Sequence, residues 1–94
     1  MATFFMFGTY GADAITGISA KRTEQAKAVI GTNGGRVLSM YALLGDQDLA
    51  LIVEFPDIQR AMKASIGVSQ ITDIAFSTVP AIAVDEFDKL MQDS

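Results

Sequence analysis

The sequence predicts an α+β fold with the element order βαββαβ, the ferredoxin-like arrangement, followed by a short C-terminal helix. Strand and helix patterns alternate in that order along 94 residues, the most uniformly apolar strands are the first and third, and Pro80 falls in the fourth. In this fold the first and third strands are central, and an edge strand tolerates a proline because one of its sides is unpaired. We therefore expect an antiparallel four-stranded sheet with helices on one face, forming a single domain over residues 1–94.

The first strand, about Thr3 to Tyr10, is apolar on both faces. Successive side chains of a strand point to opposite faces of the sheet. Phe4 and Met6 therefore share one face, and Phe5 and Phe7 share the other. Because the helices of a two-layer domain cover only one face, the second must be buried by another subunit. The sequence thus predicts a homodimer or a larger homo-oligomer.

Both helices are predicted from capping residues and from apolar stripes at helical spacing. The first follows Asp13 and ends near Gly31, and its stripe consists of Ile15, Ile18, Ala26, Val29 and Ile30. Arg22 lies in the middle of that stripe. The second opens at Pro56-Asp57, and its stripe consists of Ile58, Ala61, Met62, Ser65 and Val68.

The other strands are predicted over 36–44, 49–55 and 74–83, with a tight turn from Gly45 to Asp48 between the second and third. The tail from Asp85 to Met91 places Phe87, Leu90 and Met91 at i, i+3 and i+4. A helix this short is not stable alone in water. We therefore expect the tail to dock on its own domain or on a partner subunit.

Composition excludes several classes of function. The net charge of −4 and pI near 4.4 argue against a nucleic-acid partner. The chain has no cysteine and no histidine, which excludes disulfides, thiolate catalysis and the commonest general base and metal ligand. We predict neither a metal site nor a cofactor. Without a signal peptide or an apolar run of about 20 residues, the protein is expected to be cytoplasmic, with no membrane partner.

Several segments together resemble the GYD-domain family. They are ATFFMFG at 2–8, SMYALLG at 39–45, LIVEFP at 51–56, AMKA at 61–64 and EF at 86–87. The resemblance implies a small bacterial protein of unknown function that forms a dimeric α/β barrel. The family's Gly/Tyr/Asp signature corresponds to the turn from Gly45 to Asp48, where Gln47 takes the place of the tyrosine.

Arg22 is the first candidate site residue, because an unpaired guanidinium on an apolar stripe is costly. One interpretation is structural: the side chain reaches solvent or pairs with a carboxylate, for which Glu54 is the preferred partner. The other is functional: Arg22 binds a small anionic ligand in a pocket between the first helix and the sheet.

Tyr41, Glu54 and Tyr10 are the remaining candidates for ligand binding. Tyr41 is expected on the same strand face as Ser39 and Val37, where it is either a wetted edge aromatic or a ligand contact. Tyr10 is placed at the mouth of the same pocket. Three other features have simple structural explanations: Asp46 and Asp48 make a turn, Asp57 caps a helix, and the Gly-rich segment 31–35 ends one.

The sequence leaves two functions open and does not identify a catalytic residue. The first is a non-enzymatic module for ligand binding or assembly, which the absence of histidine and cysteine favours. The alternative is a cofactor-free isomerase or oxygenase that uses the barrel pocket. There Arg22 would stabilise an enolate or carboxylate, and Glu54 or Tyr41 would move protons.

Overall fold

A computed structural model describes residues 1–92 as an antiparallel four-stranded sheet, two helices packed on one face and a third helix at the end. The elements are β1 (Ala2–Tyr10), α1 (Ala20–Thr32), β2 (Arg36–Ala42), β3 (Leu49–Phe55), α2 (Ile58–Thr72), β4 (Ile74–Ala81) and α3 (Val84–Gln92). β2 and β4 each end two residues before the predicted position. The predicted domain range also includes Asp93 and Ser94, which lie outside the described residues.

The strand order β2-β3-β1-β4 confirms the predicted fold class. β1 and β3 are central, and each neighbouring pair of strands is antiparallel. Pro80 lies in the edge strand β4, opposite Phe4 of β1. The proline is tolerated there because β4 has a strand partner on one side only.

The two faces of β1 differ in burial as the alternation of its side chains requires. Phe4 and Met6 are 3% and 0% exposed and belong to the core between sheet and helices. The ring of Phe4 packs edge-on against Phe55 at a centroid distance of 5.9 Å. Phe5 and Phe7 lie side by side on the other face and are only half-buried, with their ring centroids 6.2 Å apart. We call this second surface the open sheet face.

A bulge in β2 places some of its residues on a different face of the sheet from the one predicted. The pairing with β3 shifts register between Val37 and Ser39, so Leu38 forms a bulge. Val37 packs against the core, whereas Tyr41 lies on the open sheet face and is 55% exposed. The prediction that Tyr41 shares a face with Val37 is therefore wrong, because one extra residue reverses the alternation.

α1 begins later than predicted. Its N-cap is Ser19, whose hydroxyl accepts a hydrogen bond from the Arg22 backbone N–H at 3.1 Å. Ile15 and Ile18 precede the helix and are 63% and 60% exposed, so they do not belong to its apolar stripe. Asp13, the predicted N-cap, does not cap α1, although aspartate is as strong an N-cap residue as serine. Its backbone N–H donates to the Asp73 carboxylate at 3.2 Å.

α2 begins where predicted, because Asp57 accepts a hydrogen bond from the Arg60 backbone N–H at 2.8 Å. Small residues form its inward face, and the Ser65 hydroxyl bonds that of Thr78 at 2.8 Å. Ile58 and Met62, predicted on the inward stripe, are instead 55% and 59% exposed. They lie on the flank of α2 beside β4, where the sheet ends and nothing in residues 1–92 covers them.

α3 confirms the helix predicted for the tail, and none of its residues is buried. Whether it docks on a partner remains a prediction at this point. Among residues 1–92, no helix is both long enough and apolar enough to cross a membrane.

Candidate functional site

A pocket of about 190 Å³ lies between the first turn of α1 and the sheet. Its walls are mainly apolar, with side chains from β1–β4 and both packed helices, including Met40, Leu51, Val68 and Phe76. Polar groups are concentrated on one side, where α1 begins and β1 ends. They belong to Tyr10, Ser19, Arg22, Thr23 and Thr72. An apolar pocket with a few convergent polar groups is the usual form of a small-molecule site.

Among residues 1–92, Arg22 is the only charged residue that lines this pocket. Its Nη1 donates a hydrogen bond to the backbone carbonyl of Ala14. Its guanidinium carbon lies 5.5 Å from the centre of the Tyr10 ring, within the range of a cation–π contact. Within residues 1–92 it forms no ion pair with a carboxylate. A guanidinium has five N–H donors, so most of its capacity remains for another acceptor.

The predicted pairing of Arg22 with Glu54 is wrong. Glu54 accepts a hydrogen bond from Arg36 Nε at 2.8 Å, and these two residues are directly paired across β2 and β3. Glu54 lies on the open sheet face, whereas Arg22 lies on the helix side of the same sheet. The sheet separates the two side chains, so this acid cannot neutralise Arg22.

Tyr10 is held in place by the turn between β2 and β3. The Asp48 carboxylate accepts a hydrogen bond from the Tyr10 backbone N–H at 2.8 Å, and the Asp48 N–H donates to the Gly8 carbonyl at 2.8 Å. Gln47 Oε1 also accepts a hydrogen bond from the Thr9 hydroxyl at 3.0 Å. These bonds fix the end of β1, and with it the ring against which Arg22 rests.

Of the four candidate residues predicted from sequence, the structure places Tyr10 and Arg22 together in the pocket. Tyr41 and Glu54 lie on the open sheet face, outside it. Sequence reasoning did not select Thr23, Thr72 or the Ala14 carbonyl. Thr23 could have been found, because its hydroxyl directly follows Arg22 on the same helix turn. Nothing local in the sequence points to Thr72 or to the Ala14 carbonyl.

The remaining sequence features have structural roles. Residues 1–92 contain no cluster of three or more acidic side chains that could hold a metal ion. The Gly-rich segment ends α1, because the Gly34 N–H donates to the Gly31 carbonyl and the Gly35 N–H donates to the Ile30 carbonyl.

The family model described as the GYD domain matches residues 4–91 of the chain. The chain belongs to the GYD-domain family. This confirms the family inferred from the sequence segments. The match extends from Phe4 in β1 to Met91 in α3. A search of curated proteins finds no match to this GYD-domain protein.

Solved structures similar to this GYD-domain protein include two regulators. The Mycobacterium tuberculosis leucine response regulatory protein (LrpA) superposes with a TM-score of 0.58 at 11% identity, over 87% of this chain and 51% of that one. An AsnC family transcriptional regulator from Agrobacterium tumefaciens gives 0.57 at 20% identity, over 87% and 50%. The chain thus spans about half the length of each, and at these identities the likeness concerns the fold alone.

The hydrogen bonds of Asp48 in this GYD-domain protein lead to a first prediction. Asp48→Ala should lower the free energy of unfolding by about 1.5 kcal/mol, because the Tyr10 N–H loses a charge-assisted acceptor. Asp48→Asn, which keeps a side-chain oxygen, should lose less. Thermal melts of the variants test this, with Asp46→Ala as the control in the same turn. A melt for Asp48→Ala that equals the melt for Asp46→Ala would contradict it.

Proposed function

We propose that this protein is an oligomeric binding module whose pocket takes a small organic acid with an apolar body. The observation that carries the proposal is the Arg22 guanidinium, which faces an apolar pocket and pairs with no carboxylate of the described residues 1–92. A carboxylate can accept two parallel hydrogen bonds from a guanidinium. The apolar walls then suit a short hydrocarbon chain. The pocket volume of about 190 Å³ is smaller than the roughly 300–1,000 Å³ of sites that bind drug-sized ligands.

The start of α1 supports the same ligand chemistry. A helix N-terminus carries partial positive charge and favours anions, yet the first turn of α1 has no acidic residue and contains Lys21 and Arg22. Two cations at this end of a helix are mutually unfavourable without an anion. Ser19 and Thr23 line the pocket beside Arg22. The Ser19 hydroxyl accepts from the Arg22 N–H and can donate its own hydrogen to a bound carboxylate, whereas the Thr23 hydroxyl already donates to the Ser19 carbonyl at 3.3 Å.

The proposal includes self-association through the open sheet face. Apolar surface on this face comes from Phe5, Phe7, Ile52 and Val79. Within residues 1–92, the Arg36–Glu54 pair is the only ion pair on it. Two sheets packed through this face would form the dimeric α/β barrel that the family resemblance implies. Such a dimer should bury on the order of 2,000 Å² in total. Tyr41 and Glu54 would then contribute to the interface.

No observation favours the cofactor-free enzyme to a comparable degree. Glu54 and Tyr41, the groups expected to move protons, lie on the opposite face of the sheet from Arg22. In the part of the chain that the structure describes, the pocket lining includes hydroxyl groups but no carboxylate or amine side chain. Binding without chemistry is therefore the function that this pocket supports best.

The experiment compares carboxylates with uncharged molecules of the same shape. 4-Methylpentanoate, leucine and hexanoate are tested beside 4-methylpentanamide by thermal melts and titration calorimetry. Leucine is included because one structural neighbour is named for its response to it. At 100 times its Kd, a ligand that binds only the folded state adds about 2.7 kcal/mol to stability. We expect stabilisation by at least one carboxylate and none by the amide.

Arg22→Met should remove this stabilisation, because the side chain keeps an unbranched apolar stem but loses the guanidinium and its charge. Lys21→Met is the matched control, since it removes the same charge from the same helix turn without lining the pocket. Lys21→Met should bind the carboxylate almost as the wild type does. Equal stabilisation by carboxylate and amide, or undiminished binding by Arg22→Met, would overturn the proposal.

A further inference from the structure

The C-terminal helix α3 presents an apolar stripe that nothing in residues 1–92 buries. Val84, Phe87 and Leu90 are 73%, 49% and 57% exposed. The described residues extend 49 Å along their longest axis and 17 Å along their shortest. Their radius of gyration of 14.2 Å exceeds the about 12 Å expected of a compact chain of this length. Since an isolated nine-residue helix is unstable in water, α3 requires a surface on which to dock.

A second uncovered apolar surface lies along the outer flank of α2. Ile58, Met62 and Ile66 recur at i, i+4 and i+8 and are 55%, 59% and 59% exposed. They form one wall of a groove of about 230 Å³ between α2 and β4, with Phe4 and Pro80 at one end. We call it the α2–β4 groove. A contiguous exposed apolar surface of this kind marks an interaction site.

The two surfaces match in length. At 1.5 Å per residue, the nine residues of α3 and the nine residues from Ile58 to Ile66 each span about 12 Å. The side chains of both recur at helical spacing, so the stripe of one helix can pack along the ridge of the other.

Their charges are opposite. α3 contains Asp85, Glu86 and Asp88 against a single Lys89. α2 contains Arg60 and Lys63 and no acidic residue between 58 and 72. Arg60 pairs with the N-cap Asp57 at 3.9 Å, so Lys63 is the cation that can meet the acidic residues of α3. Lys63 borders the ridge and makes no ion pair within residues 1–92. An α3–α3 or α2–α2 contact would juxtapose like charges, so the charge pattern selects α3 against α2.

The connection to α3 disfavours docking within one chain. Only Ile82 and Ala83 separate the end of β4 from the start of α3. For α3 to reach the ridge of its own α2, the chain would have to reverse direction within this link. Short connections of this kind favour exchange of the terminal element between two copies.

We propose that α3 docks in the α2–β4 groove of a second copy of this chain, with the two copies exchanging helices reciprocally. This contact does not involve the Arg22 pocket. Val84 at the start of α3 lies beside Phe5 of the open sheet face, so the exchange is tested at Leu90, six residues further along. Carboxylate binding in the Arg22 pocket does not depend on the outcome.

Cysteine cross-linking tests the exchange directly, because the chain has no cysteine of its own. Met62→Cys and Leu90→Cys chains are co-expressed and oxidised. A disulfide forms only where the two Cα atoms lie within about 7 Å. We expect a linked dimer at twice the chain mass of 10.0 kDa, with the mixed peptide pair identified by mass spectrometry. Lys89→Cys, on the polar face of α3, replaces Leu90→Cys in the control and should give far less mixed product.

Three results would overturn the proposal. The first is a Met62→Cys/Leu90→Cys double variant that links within one chain, which would show docking in cis. The second is an equal yield from the Lys89→Cys control, which would indicate random collision. The third is the absence of a mixed link from both groove positions, Met62→Cys and Ile66→Cys. Ile66→Cys is the replacement if the Met62→Cys chain loses its helical circular dichroism.

Discussion

Phe4→Asp should abolish the folded state, whereas Phe5→Asp, one residue later, should leave a folded but dissociated chain. Phe4 is 3% exposed and packs against Phe55 in the core, so a carboxylate there is buried without a partner. Loss of the ring alone costs about 3–5 kcal/mol, a large part of the stability of a domain of this size. Phe5 lies on the open sheet face, where the aspartate is solvated once the partner has left.

Circular dichroism and light scattering at micromolar concentration separate the two outcomes. The Phe5→Asp chain should keep its far-ultraviolet spectrum and scatter as a monomer, while the wild type scatters as a dimer or larger. Thr3→Asp, on the same strand face near the start of β1, is the milder control. A wild type that is monomeric at micromolar concentration would contradict self-association, and a folded Phe4→Asp chain would contradict the assignment of the core face.

Most of the fold could be predicted from the sequence because it depends on patterns that sequence records directly. The alternation in β1, the uniformly apolar β3 and Pro80 in β4 were enough to place each strand in the sheet. The start of α1 was predicted wrongly because Asp13 and Ser19 are both good N-cap residues. Asp13 is instead held by a distant residue, Asp73, whose carboxylate accepts the Asp13 N–H.

The candidate site was less predictable, since it depends on which face of the sheet each residue occupies. A bulge at Leu38 moved Tyr41 away from the face of Val37, and no local signal in β2 marks that extra residue. Arg22 was identified because a cation among apolar residues is unusual. Tyr10 was predicted at the mouth of the same pocket, but its contact with Arg22 depends on the register of β1 and on the hydrogen bond that the Tyr10 N–H donates to Asp48. Thr23 and Thr72 were not identified.

Gly35→Ala should be strongly destabilising, although glycine-to-alanine changes are usually mild. An added Cβ at Gly35 would lie 2.5 Å from the Phe55 ring and 2.7 Å from the Glu54 carbonyl oxygen. Phe55 is 0% exposed and packs against Phe4, so its ring cannot move without disturbing the core. The carbonyl belongs to the central strand β3 and is equally fixed. We expect a loss of about 3 kcal/mol, the upper part of the usual range for overpacking.

Gly31→Ala provides a matched control four residues earlier on the same chain segment. Gly31 lies in α1, and an added Cβ there would have no neighbour within 4 Å. Alanine in a helix is favoured over glycine by about 0.5–1 kcal/mol, so this variant should be slightly more stable than the wild type. For a domain of this size, 1 kcal/mol changes Tm by about 4–8 °C, so the two variants should move in opposite directions by clearly measurable amounts. If the Tm values of Gly35→Ala and Gly31→Ala agree, the close approach of the Gly35 backbone to Phe55 does not constrain that position.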